Sequence, residues 1–147
     1  MNKQQIAIKM VEYASNLLGL SDIEVYFKPK TFFHFEEVSA IFNDKLYYII
    51  FNEDWMATAL PEEVALTALH ETRHAYQKAN IDFPEYFIGK ESMQTINQWK
   101  KDFENYNRPH ENNIDEYASQ SIEKDAIDFA WKIITEHFDV KLIKDTA

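Results

Sequence analysis

His70, Glu71 and His74 are the residues of this chain whose types and spacing can do chemistry. In a helix of 3.6 residues per turn, positions 70 and 74 fall one turn apart on one face. Both imidazoles can then ligate one zinc ion while Glu71 stands beside it. The run His70-Glu71-Thr72-Arg73-His74 therefore has the H-E-x-x-H pattern of metal-assisted hydrolysis. Zinc would lower the pKa of its water to about 7 and polarise a carbonyl. Glu71 would take the proton as general base and pass it to a leaving nitrogen. The bland alternative is a pair of surface histidines that share a helical face.

A catalytic zinc needs a third protein ligand and leaves its fourth position to water or substrate. Cysteine is absent, so that ligand is a histidine or a carboxylate. His110 is one candidate, although it follows Pro109 in the helix-breaking run Arg108-Pro109-His110. The last long helical pattern offers Glu116, Glu123 and Asp125. Glu123 shares its face with Ala126 and Ala130, small residues that let another helix approach, whereas Asp125 falls near Ile122 and Phe129. Glu116, one heptad earlier, lies on nearly the face of Glu123. His34 alternates with phenylalanines in Phe32-Phe33-His34-Phe35 and reads as a structural or surface residue.

His70-Glu71-x-x-His74 followed by Gln77, together with Glu123-Lys124-Asp125-Ala126, resembles the gluzincin group of zinc metallopeptidases, in which a downstream helical glutamate completes the site. The resemblance covers about 20 residues in two blocks and implies Glu123 as the third ligand, with zinc as the cofactor. The metzincin pattern fails, because its glycine and third histidine would fall on Gln77 and Asn80. Thermolysin-like gluzincins also carry an aspartate four residues after the glutamate to hold a zinc histidine, and Ile127 stands there. That acceptor must come from Asp125, Asp128, Gln77 or a backbone carbonyl. A phenol or cation should stabilise the oxyanion, with Tyr117 and Tyr106 ahead of Arg73 and His110.

The elements that must position these residues follow from periodicity. Gln4 to Leu18 carries Ile6, Met10, Ala14 and Leu17/Leu18 at helical spacing, closed by Gly19. Ile23 to Phe27, Val38 to Phe42 and Leu46 to Phe51 read as strands, the last two flanking Asn43-Asp44-Lys45 as a hairpin would, so residues 22 to 52 predict a small antiparallel sheet. Pro61 to Asn80 is the motif helix, with Pro61 at its first position and Glu62 and Glu63 in its positive first turn. Ala65, Leu69, Thr72 and Tyr76 form its core stripe. Glu91 to Asn107 and about Asn112 to Phe138 complete the order. The class is α+β: an N-terminal helix, a small antiparallel sheet, then a mainly helical part, all in one domain over 1–147.

At 147 residues the chain can bury a core without metal or disulfides. The amino end lacks an apolar core of signal-peptide length, and the longest apolar run, Leu46 to Phe51, cannot span a bilayer. The expectation is a soluble, cytoplasmic protein. A net charge of −10 disfavours nucleic acid and anionic membranes as partners. The reading is a zinc peptidase acting on a peptide or protein substrate. The alternative is a non-enzymatic acidic binding or inhibitor protein whose metal is structural or vestigial.

Overall fold

Asn2 opens the first helix by accepting the Gln5 N–H, while the Gln5 side chain takes the N–H of Asn2, each at 2.8 Å. The computed structural model describes residues 1–33, 37–106, 117 and 119–137. In it, helix α1 (Lys3–Leu18) ends at Gly19, whose φ of 73° is the left-handed conformation that a terminating glycine supplies without a Cβ clash. Strands β1 (Glu24–Lys28), β2 (Ala40–Asn43) and β3 (Tyr48–Asn52) follow, then a short helix α2 (Glu53–Thr58) capped by the Asn52 side chain. Helix α3 (Pro61–Asp82) carries the motif, and α4 (Met93–Glu104) and α5 (Ser121–His137) complete the described elements.

The sheet is mixed, which corrects the antiparallel expectation. Its order is β1-β3-β2: β2 and β3 form the antiparallel hairpin, but β1 lies parallel to β3, with Val25 opposite Ile49 and Phe27 opposite Phe51. Alternation and turn residues report a local hairpin. They carry no information on which edge a third strand joins, and here β1 takes the edge of β3 opposite β2. The consequence for the site is that β2 is an edge strand.

The final helix is also shorter than its pattern predicts. Tyr117 and Ser119 are helical, Gln120 is a bend, and α5 starts at Ser121. His34, His110 and Glu116 lie outside the described residues.

The amphipathic faces pack as their spacing demands. Ile6, Met10 and Ala14 of α1 meet Phe51 of β3, Val64, Ala65, Ala68 and Leu69 of α3, and Ala130, Ile133 and Ile134 of α5 in one core. Tyr76, Phe87, Trp99 and Ile122 form a second cluster. Alanines at 65, 68, 126 and 130, all buried, remove bulk between α3 and α5 so that the two helices approach closely. None of the described helices is long and apolar enough to cross a membrane.

Candidate metal centre

The middle of α3 sets His70, Glu71 and His74 together, with one ligand-type atom of each lying within 4.8 Å of the others. These three can hold a metal ion. Glu123, from the first turn of α5, reaches the same point: its Oε1 is 2.8 Å from His70 Nε2 and 3.0 Å from His74 Nε2. The two Nε2 atoms are 3.1 Å apart. Three ligand-type atoms thus make a triangle with edges of 2.8, 3.0 and 3.1 Å. Metal bonds of about 2.0–2.1 Å at tetrahedral angles separate ligand atoms by roughly 3.3 Å. An outward movement of a few tenths of an ångström would admit one ion, so the residues present fit a metal.

Burial and charge shape this cluster. Glu123 is fully buried, and a carboxylate there is costly unless it is paired. Burial pushes its carboxyl pKa up, but hydrogen bonds from His70 and His74 and their charges overturn that and hold it well below the usual carboxylate range. Burial pulls His74 down, while the bond to Glu123, the charges of Glu123 and Glu71 and a bond to Gln77 lift it to about 9. The Glu71 carboxyl is raised, mainly by burial, against the opposing pull of His74, His70 and the N–H of Phe42.

The cluster lies in a cleft of about 820 Å³ between the edge strand β2 on one side and α3, the C-terminal end of α4 and α5 on the other. Tyr106 donates its hydroxyl to Glu123 Oε2 at 2.8 Å. Tyr117 lines the same cleft, and its phenol is in hydrogen-bonding contact with Tyr106 and Glu123. Burial and the nearby carboxylates raise both phenol pKa values, keeping the hydroxyls protonated.

Glu123, carried over from the resemblance, comes together with the motif histidines, and so do both tyrosines. Arg73 and Asp125 do not join them. Arg73 Nε lies 2.7 Å from Asp125 Oδ2, and neither residue lines the cleft. Asp128 is exposed. The acceptor for a motif histidine is Gln77, whose Oε1 is 2.9 Å from His74 Nδ1. Sequence reasoning missed the role of β2, since the contact from Phe42 to Glu71 joins residues far apart in the chain with no motif to link them. It also left open that Tyr106 touches Glu123. Tyr106, the last aromatic of the Glu91 to Asn107 pattern and just past the end of α4, was the available signal.

Comparison with protein-family models, with curated proteins and with solved structures finds no match.

Proposed function

We propose that the protein is a zinc-dependent peptidase of gluzincin type, with His70, His74 and Glu123 as metal ligands and Glu71 as general base. The observation that carries this reading is the convergence of two imidazole nitrogens and a buried carboxylate oxygen, from two helices, on one point in a cleft. Two histidines and a glutamate without thiolates are a donor set that catalytic zinc uses. When bound, zinc supplies a Lewis acid and a water that ionises near neutral pH.

The chain's own residues supply the rest. Glu71, its pKa raised and its carboxylate held by the Phe42 N–H, takes the water proton and delivers it to the leaving nitrogen. Tyr106 holds Glu123 Oε2, which keeps Oε1 turned to the histidines. Tyr117 remains the hydroxyl donor for the oxyanion.

The edge strand favours a peptide as substrate. Asn52 N–H donates to Ser39 C=O across the hairpin, so by antiparallel alternation the backbone groups of Ala40 and Phe42 point away from β3. The Phe42 N–H is taken by Glu71. The outward groups that remain border the cleft, where an extended peptide can add as a further strand.

The test uses protein purified without chelator. Elemental analysis should find one zinc per chain in wild type and in Glu71→Gln. Unstructured proteins, and the protein itself, serve as substrates, with fragments read by mass spectrometry. Glu71→Gln should lose cleavage by at least about a hundredfold. Zinc-loaded wild type that cuts nothing, or a variant that cuts equally well, replaces the peptidase with the acidic binding protein.

A further inference from the structure

We propose that Arg73 and Asp125 are positioning residues for His74, acting through the side chain of Gln77. The inference rests on the metal centre argued above and asks what fixes which nitrogen His74 offers to the metal. A ligating imidazole must present an unprotonated nitrogen, and its other nitrogen must carry a proton that something accepts. The Gln77 amide sits 2.9 Å from His74 Nδ1, but an amide can turn either its oxygen or its nitrogen to that position.

The surroundings of the amide decide. Gln77 Nε2 lies 2.9 Å from the Ile122 carbonyl and 2.8 Å from Asp125 Oδ2. Both partners are acceptors, so only the NH2 end can face them. Turning the amide over would set its oxygen against a carboxylate and its N–H groups against the Nδ1 proton. Gln77 is fully buried, so water cannot repair that mismatch. The oxygen therefore faces Nδ1, the proton stays on Nδ1, and Nε2 is left for the metal.

Asp125 can play this part only if its carboxylate is held in place, and Arg73 holds it. Arg73 Nε reaches Asp125 Oδ2 at 2.7 Å and Nη2 reaches Oδ1 at 3.1 Å, a two-pronged pair. The guanidinium is itself held over the rings of Tyr76 at 4.5 Å and Phe129 at 5.0 Å. Constraint thus runs from an aromatic seat to Arg73, Asp125, Gln77 and His74. The acceptor stands on the histidine's own helix, three residues on, while α5 has only Ile127 four residues after Glu123.

Zinc affinity, read by competition with a chromophoric chelator, and the ring ¹⁵N shifts of His74 in zinc-loaded protein test the relay. Gln77→Met should unfold cooperatively like wild type yet bind zinc about 10- to 100-fold more weakly. Gln77→Glu alone opposes the new carboxylate to Asp125 and should also weaken binding. Adding Asp125→Asn supplies an amide donor to that carboxylate and an oxygen to Arg73 Nη2, so the double variant should bind zinc more tightly than Gln77→Glu alone, with Nε2 coordination, yet short of wild type, because the Ile122 carbonyl still faces an oxygen and the Arg73 Nε–H faces the new amide nitrogen. Arg73→Lys keeps charge without the two-pronged geometry and should cost about threefold.

A simple cross-link between α3 and α5 would not make zinc affinity follow the donor and acceptor pattern. The double variant therefore decides even if Gln77→Met fails to fold. Wild-type affinity in a folded Gln77→Met, or a double variant no tighter than Gln77→Glu alone, overturns the relay while leaving the metal centre standing. Unchanged affinity in Arg73→Lys removes Arg73 from it. Wild type that binds no zinc overturns the centre and the relay together.

Discussion

In chelated, metal-free protein, stability should fall as pH rises from about 6 to about 10, and Glu123→Gln should flatten that fall. His74 is the source. Its pKa rises from 6.5 in an unstructured chain to about 9 in the fold, because Glu123 and Glu71 outweigh the cost of burial. A group raised on folding stabilises fully below its unfolded value, so the contribution is complete below pH 6.5 and is lost as pH climbs through about 9. Glu123 has the opposite sign: its depressed pKa gives stability present above the ordinary carboxylate value and lost only in strong acid. The alkaline fall therefore belongs to the histidine. A rise from 6.5 to about 9 caps the effect at about 3 kcal/mol, since the pair is coupled and shares it. For a domain of this size that is a Tm change of up to about 10 °C. The assay is thermal unfolding by circular dichroism in chelator across this pH range, for wild type and Glu123→Gln. Their difference cancels the self-repulsion that a net charge of −10 adds in both. Parallel Tm profiles would refute the reasoning.

The ligand set makes further predictions. His70→Ala and Glu123→Ala should each abolish stoichiometric zinc while leaving cooperative unfolding, because the core does not depend on the metal. Elemental analysis with melting curves checks this, and zinc retained in Glu123→Ala but lost in His110→Ala would move the site to three histidines. Tyr106→Phe removes one hydrogen bond to Glu123 Oε2 and should weaken zinc binding about fivefold, as one such bond warrants. Chelator competition measures that, and unchanged affinity would show that the bond holds nothing in place.

Much of this was legible locally. The Pro61 start of the motif helix, the Gly19 terminator, the stripe of Ala65, Leu69, Thr72 and Tyr76 and the one-turn spacing of His70 and His74 are short-range consequences of helix geometry, so residue order alone determines them. Glu123 is implied by the gluzincin resemblance and agrees with the small residues Ala126 and Ala130 on its face, whereas spacing alone leaves Glu116 open beside it. What residue order could not settle is which distant surfaces meet. Nothing local tells β1 to lie parallel on the far edge of β3, and that choice is what leaves the edge of β2 facing the motif helix and sends the Phe42 N–H to Glu71. Arg73 looked like a candidate donor for the oxyanion and Asp125 a candidate for the metal or for holding a histidine, because a charged side chain near a site can be spent in several ways. Only the packing of α3 against α5 pairs them with each other and turns the oxygen of the Gln77 amide to His74. Hydrogen bonds act over about 3 Å, and the fold alone decides which groups come that close.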